Sequence, residues 1–161
     1  MKTIYLIRHA KSSWEFDLED HERPLNERGL NDAPLVAEHI KALIKNPERI
    51  VSSDAMRAKT TAALYLKVLG IPDKRLELEP KLYDFNGREV ERFVKACDDK
   101  VEVLMVFGHN NAMTAMVNQW GDKKIDNVAT AAFTAITFDQ DKWAEIKNGT
   151  TQHHIKPKHL K

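Results

Sequence analysis

The stretch VEVLMVF, Val101 to Phe107, decides the fold class, because it is short and almost continuously apolar. A run of this kind is typical of a central strand that is covered on both faces of a sheet. Thr3 to Ile7 has the same character and predicts a second buried strand. Two shorter strands are predicted at Arg49–Ser52 and Arg75–Glu79.

Helical patterns separate these strands. Leucine, valine and isoleucine share one face between Asn26 and Ile44, and this helix could be capped either by Asn26 or by Asp32 with Pro34 in the first turn. A second helix is predicted to start after a cap at Asp54 and to end at Gly70, and two more cover Arg88–Cys97 and Asn110–Trp120.

Strands that alternate with helices predict a single α/β domain with three layers, α/β/α, around a mostly parallel sheet. Thr134–Phe138 and Lys142–Ile146 are expected to form a closing hairpin, which would give the mixed sheet an antiparallel edge. We expect this domain to cover residues 1–150. Residues 151–161 are expected to form a basic, frayed C-terminal tail.

The composition of the 161 residues is that of an ordinary globular protein, with 42% hydrophobic residues, 30% charged residues and a formal net charge of +1. Nothing in this balance points to a nucleic acid or membrane partner. The single cysteine, Cys97, cannot form an internal disulfide, and Met1 to Ile7 is too short for a signal peptide. A cytoplasmic location is therefore expected, whereas the oligomeric state is left open.

Arginine and histidine follow three of the predicted strands at the point where each strand ends. Arg8 and His9 follow the first strand, Arg57 lies just beyond the second, and Gly108-His109 follows the central strand. Because ligands bind beyond the carboxyl ends of parallel strands, we expect these side chains to lie together. Helix N-termini at the same edge would add free N–H groups and partial positive charge.

This set of side chains suits phosphoryl transfer. Arginine binds phosphate oxygens with planar, permanently charged donors. A neutral imidazole can attack phosphorus and form a covalent intermediate, and a second histidine can donate a hydrogen bond to the phosphoryl oxygens. The sequence therefore predicts that His9 is the nucleophile of a phosphate-handling active site.

Four stretches of the chain resemble the histidine phosphatase superfamily, which has the phosphoglycerate mutase-like fold. LIRHAKSSW, Leu6 to Trp14, resembles its RHG-type signature, with Ala10 where many members have glycine. SSDAMRAKTT, Ser52 to Thr61, is similar to the segment S-x-x-x-R-x-x-x-T, and VFGHN, Val106 to Asn110, to the second histidine motif. HERPLNERG, His21 to Gly29, and the short chain resemble the phosphohistidine phosphatases of SixA type.

The resemblance implies that His9 becomes phosphorylated and that Arg8, Arg57 and His109 complete the phosphate pocket. Arg23, in the RPL stretch, is expected to help bind the substrate. Neither a metal nor an organic cofactor is implied. The expected partner is a phosphorylated protein or a small phosphorylated molecule.

The general acid that many superfamily members carry has no clear counterpart in LYDFNG, Leu82 to Gly87. Asp84 is the only carboxylate placed to serve, and an ordinary turn aspartate is an equally good interpretation. The acidic run from Glu15 to Glu22 is expected to be a solvated loop. Ser12 and Ser13 are expected to shape a loop, and Lys11 and Trp14 to lie at the mouth of the pocket.

These observations predict a phosphatase hydrolase that acts through a phosphohistidine on His9, with protein phosphohistidine as the favoured substrate. One alternative is a small-molecule phosphomonoesterase with the same chemistry. A non-catalytic phosphate-binding protein is a weaker alternative, because all four pocket residues are present. A mutase is less favoured, since the chain lacks long insertions that would enclose a phosphorylated sugar acid.

Overall fold

The computed structural model describes residues 1–161 as one α/β domain with a six-stranded sheet between two pairs of helices. The strands and helices, in chain order, are β1 (Lys2–Arg8), α1 (Glu27–Ile40), β2 (Arg49–Ser52), α2 (Met56–Leu69), β3 (Leu76–Leu78), α3 (Arg88–Lys95), β4 (Val103–Gly108), α4 (Ala112–Trp120), β5 (Phe133–Phe138) and β6 (Thr150–Ile155).

The sheet is mixed, as the sequence predicts, with the order β3-β2-β4-β1-β5-β6. β3, β2, β4 and β1 are parallel, and β5 pairs antiparallel with β1. β4 is central, and all six of its residues are buried, which confirms the interpretation of the apolar run. Because Arg8 lies beside Gly108 and Ser52 beside Phe107, three strands end at the same level.

The helices bury one apolar face each on opposite sides of this sheet, so the three-layer prediction is confirmed. Alternate residues of β1 point to different layers: Ile4 and Leu6 join one core, and Tyr5 and Ile7 join the other. α3 and α4 cover the first core, and α1 and α2 cover the second. The methionines expected in the core, Met105, Met113 and Met116, are buried there.

Two helix starts are settled by the structure. α1 is capped by Asn26, whose side chain accepts from the N–H of Gly29 at 2.9 Å, so the alternative start at Asp32 is wrong. Pro34 lies inside this helix. α2 begins after Ala55, and Asp54 instead accepts from His21 Nε2 at 2.9 Å, so the predicted Asp54 cap is wrong as well.

The C-terminal part of the sheet differs from the prediction. The partner of β5 is β6, and the segment predicted to return as a hairpin contains a single 3₁₀ turn, Trp143–Glu145. Trp143 is fully buried, so its apolar character reflects core packing and not a strand. The boundary at residue 150 and the frayed tail are therefore wrong, because Thr150–Ile155 forms an edge strand and Pro157–Leu160 a final turn.

Two further properties concern the chain as a whole. None of the helices combines the length and the apolar character that crossing a bilayer requires. No group of three or more histidine, cysteine, aspartate or glutamate side chains has the arrangement of a metal site.

Candidate active site

The carboxyl ends of the parallel strands open into a shallow cavity of about 310 Å³. Its lining carries three arginines and one lysine against a single carboxylate, that of Asp20. The residues of the wall are Arg8, His9, Lys11, Ser12, Trp14, Asp20, Arg23, Arg57, Phe85, Asn110 and Thr130. The cavity is therefore suited to a compact anion.

His9 lies at the base of this cavity, held by the neighbouring strand and by its own chain. Its main-chain N–H donates to the Gly108 carbonyl at 3.0 Å. The ring Nδ1 lies 2.7 Å from the Ala10 carbonyl. A carbonyl can only accept, so Nδ1 carries the proton and Nε2 keeps a free lone pair.

The His9 ring is kept neutral by its surroundings. Burial lowers the pKa of His9 to about 3, and the cations Arg57, Arg8 and Arg23 act in the same direction. The hydrogen bond to Ala10 opposes this shift but does not offset it. At neutral pH the imidazole therefore has the electron pair that a nucleophile needs.

The two strand-end arginines are anchored through their outer nitrogens. Arg8 Nη1 donates to the Val128 carbonyl at 2.7 Å, and Arg57 donates from both terminal nitrogens to Asp20. The Nε atoms of both arginines are buried without a hydrogen-bond partner. Buried donors are nearly always paired in folded proteins, so these N–H groups are candidates to bind a ligand.

His109 lies beside His9 but does not line the cavity. The two ring centroids are 5.3 Å apart, and Tyr83 and Phe85 pack edgewise or tilted against His109. His109 Nε2 is 2.8 Å from Ser53 Oγ, whereas Nδ1 is buried without a partner. Burial, followed by neighbouring His9 and Arg57, lowers the pKa of His109 to about 3.

The segment Ser53 to Thr61 connects the pocket elements physically. Thr61 Oγ1 donates to the Arg57 carbonyl at 2.7 Å and accepts from the Ala10 N–H at 2.9 Å. Ser53 reaches His109, as described above. This segment thus connects α2 to the ends of β1 and β4 through Ser53, Arg57 and Thr61.

Arg23 enters the cavity from the loop before α1. Its guanidinium lies 3.5 Å from the centre of the Trp14 ring, and Nη1 donates to Ser12 Oγ at 2.7 Å. Ser13 Oγ accepts from the Glu15 N–H, so both serines shape the loop, and Lys11 and Trp14 lie on the cavity wall, as expected.

Asp84 does not line the cavity, and its hydrogen bonds favour the turn-aspartate alternative over the tentative assignment as general acid. Its carboxylate accepts from the backbone N–H groups of Asn86, Glu89 and Val90 at 3.0 to 3.2 Å. Asp84 therefore satisfies the open start of α3, which is the turn-aspartate alternative.

Asp20 is a cavity residue that the sequence interpretation missed. Most of the acidic run is solvent-exposed, as expected, but the Asp20 carboxylate binds Arg57, Arg23 and Tyr83. The only signal in the sequence was spacing, because Asp20 precedes Arg23 by three residues and lies just before the stretch that resembles the SixA-type proteins. The spacing i, i+3 brings such a pair together on one helical turn.

Comparisons with known proteins agree with this geometry. The chain is 32% identical over 118 residues to an uncharacterized chloroplastic protein of Arabidopsis thaliana, a match that covers 68% of this chain and 54% of that protein. It is 31% identical over 110 residues to an uncharacterized protein of Mycobacterium tuberculosis, which covers 68% of this chain and 66% of the relative. The matches thus span about half to two thirds of these relatives' length.

The fold itself is shared with a solved structure over almost its whole length. The protein histidine phosphatase SixA, complexed with tungstate, superposes with a TM-score of 0.83, covers 99% of both chains and is 23% identical. The family model of the histidine phosphatase superfamily, branch 1, matches residues 4–92, which contain Arg8, His9 and Arg57. With the motifs, the fold and the family model in agreement, the chain belongs to the histidine phosphatase superfamily.

Proposed function

We propose that the protein is a phosphatase in which His9 forms a transient phosphohistidine. The observation that carries this proposal is the His9 ring itself: Nδ1 is committed to the Ala10 carbonyl, and the free Nε2 belongs to a neutral imidazole among arginines. This is the state in which a histidine attacks phosphorus.

The proposed reaction has two displacements. In the first, the Nε2 lone pair of His9 forms a bond to phosphorus, and the bond from phosphorus to the leaving group breaks with its electron pair. In the second, water attacks the phosphohistidine, its proton passes to solvent, and phosphate leaves His9 neutral again. The buried, unpartnered N–H groups of Arg8 and Arg57 would stabilise the negative charge on the equatorial oxygens.

His109 would contribute a hydrogen bond from Nδ1, its buried and unpartnered nitrogen. For that, Ser53 must donate to Nε2, which leaves the ring proton on Nδ1. Arg23 would bind the substrate from the loop side of the cavity. These four roles complete the proposed phosphate pocket.

The favoured substrate is phosphohistidine on a protein, because the cavity offers no carboxylic acid to protonate an alkoxide leaving group. Asp84 is bound to three backbone N–H groups, and the arginines hold Asp20 in its charged form. An imidazole leaves phosphorus more easily than an alkoxide and needs less help from an acid. Similarity to a protein named protein histidine phosphatase supports the same choice.

The wall of the cavity also favours a large substrate. Trp14 and Phe85, which line it, are exposed over 76% and 45% of their surfaces. Exposed aromatic side chains at a pocket mouth are typical of contact with another protein. We further propose a reducing, cytoplasmic environment, with which the one buried free cysteine, Cys97, is compatible.

A direct assay tests both parts of the proposal. Wild-type protein, His9→Ala and the control His39→Ala, which alters an exposed histidine of α1, are compared on a phosphohistidine-bearing protein and on alkyl phosphomonoesters. We expect turnover of phosphohistidine by wild type and control and none by His9→Ala. Equal activity of His9→Ala would refute the nucleophile, and turnover of alkyl esters alone would refute the substrate.

A further inference from the structure

The Asp20 carboxylate joins three side chains from separate parts of the chain. Oδ2 accepts from Arg57 Nη2 at 2.9 Å and from the Tyr83 hydroxyl, and Oδ1 accepts from Arg23 Nε at 3.1 Å. Arg57 belongs to α2, Arg23 to the loop before α1 and Tyr83 to the segment before α3. One carboxylate thus connects two arginines of the cavity wall to the segment before α3.

Arg57 is held twice by the same residue. Its Nη1 donates to the Asp20 main-chain carbonyl at 2.6 Å while Nη2 donates to the carboxylate. Two bonds from one planar group fix the orientation of that plane. The Arg57 side chain is 2% exposed, and its Nε is the nitrogen left without a partner. Asp20 therefore fixes Arg57 through its outer nitrogens and leaves Nε to a ligand.

The charge of Asp20 matters as well as its geometry. Arg8, Arg23 and Arg57 line one small cavity, in which Asp20 is the only carboxylate. Guanidinium groups this close repel one another, and a shared anion offsets that repulsion. Partial burial raises the pKa of Asp20, but the Tyr83 hydroxyl, Arg57 and Arg23 outweigh this effect and hold that pKa well below its usual range.

We infer that Asp20 is a positioning residue of the active site, which acts by orienting Arg57 and Arg23 toward the phosphoryl group. The inference rests on the proposed phosphatase function and extends it to a residue outside the histidine and arginine motifs. Asp20 does not act as the general acid, because its oxygens accept hydrogen bonds from three donors and carry no proton to give.

The alternative is that the Asp20 carboxylate acts as an internal anion that competes with the substrate for the same arginines. The two roles predict changes of opposite sign in the kinetic constants when the carboxylate is removed. A competitor slows the reaction, so that its removal raises kcat/KM and strengthens inhibition by inorganic phosphate. A positioning residue assists the transition state, so that its removal lowers kcat.

The kinetic test compares Asp20→Asn with wild type on an aryl phosphate, whose leaving group needs no acid. Glu19→Gln is the matched control, because Glu19 is the exposed carboxylate next to it and lies outside the cavity wall. For Asp20→Asn we expect kcat to fall about tenfold to a hundredfold, as for a lost charge-assisted hydrogen bond, with KM within about threefold of wild type. Asp20→Glu, which keeps the charge, should recover part of the loss.

A second measurement does not depend on turnover. The Nη signals of Arg57 in side-chain NMR should be separate, as for hindered rotation about the Nε–Cζ bond, in wild type and Glu19→Gln and should average faster in Asp20→Asn. A kcat of Asp20→Asn equal to that of Glu19→Gln, a rise in kcat/KM, or an unchanged Arg57 signal would overturn the inference. Absence of any turnover by wild type would instead refute the proposed function, and the NMR comparison would still decide the role of Asp20.

Discussion

The His9 imidazole is buried beside three cations, and this environment determines how its protonation responds to pH. Protonation would add a further positive charge to a poorly solvated site. The folded protein therefore disfavours the imidazolium form, which is why the pKa of His9 is lowered to about 3. An ordinary histidine has a pKa near 6.5 and would be partly protonated near neutral pH.

This shift predicts a pH profile. A group with a lowered pKa is neutral at every pH above that value, so His9 stays competent throughout pH 5 to 8. We expect kcat/KM, after division by the measured ionisation of the substrate, to be flat over this range, since it reports groups of the free enzyme. A rise centred near the ordinary histidine pKa of about 6.5 would contradict the prediction.

For single residues, the sequence predicted the location of a side chain correctly where the end of a strand fixes that location. Arg8, His9 and Arg57 reach one cavity because parallel strands end together, a rule that needs no side-chain detail. The sequence left the role of Asp84 open and missed that of Asp20, because a carboxylate in a polar segment has several possible partners. Only the folded chain shows that Asp84 binds the start of α3 whereas Asp20 binds arginines.

Among the elements, the start of α1 contacts the loop that carries the active site. A Cβ atom on Gly29 would lie 2.2 Å from the carbonyl oxygen of Lys11, far inside van der Waals contact. The Asn26 N–H donates to that same oxygen at 2.9 Å. Glycine is required here for close approach, because the helix and the loop after His9 share one hydrogen-bonded contact.

Gly29→Ala should therefore destabilise the protein and disturb the loop. We expect the free energy of unfolding in urea to fall by about 1–3 kcal/mol, the usual cost of overpacking. Asn31→Ala, an exposed substitution in the same helix, is the control and should change it by less than about 0.5 kcal/mol. Equal stability of the two variants would contradict this prediction and show that the loop after His9 can move aside at little cost in free energy.

Elements with a strong pattern were predicted best. The apolar run of β4 and the periodic faces of the helices reflect burial, which dominates their sequence. β6 has the sequence TTQHHI, and five of its six residues are exposed or half-buried, so its pattern resembles that of a polar tail. The buried Trp143 and Ile146 gave the stronger strand signal, although they pack from a turn.

For the molecule as a whole, the C-terminal residues close one edge of the sheet. Phe133 lies opposite Ile155 in the β5–β6 pairing, and Thr134 and His154 Nδ1 are 2.8 Å apart. Beyond the strand, Lys161 Nζ lies 2.8 Å from the buried Asp32 carboxylate of α1. The last eleven residues therefore contact both the sheet and a helix.

Deletion of residues 151–161 should destabilise the entire domain, since it would expose the edge of β5 and the apolar surface under Ile155. We expect the free energy of unfolding to fall by about 3 kcal/mol or more, and the soluble yield to decrease. Lys158→Ala, an exposed substitution in the same segment, is the control and should cost less than about 0.5 kcal/mol. A truncated protein as stable as the full chain would contradict this prediction and indicate that the segment is a frayed tail.

If the phosphoryl group passes through His9, the covalent intermediate can be trapped on that residue. Wild type, His9→Ala and His39→Ala are mixed with a radiolabelled phosphohistidine protein, quenched in alkali within the first turnover and mapped by mass spectrometry. We expect an acid-labile, alkali-stable phosphoryl group on His9 in wild type and His39→Ala, and none in His9→Ala. Label on another residue, or turnover of substrate by His9→Ala, would contradict it.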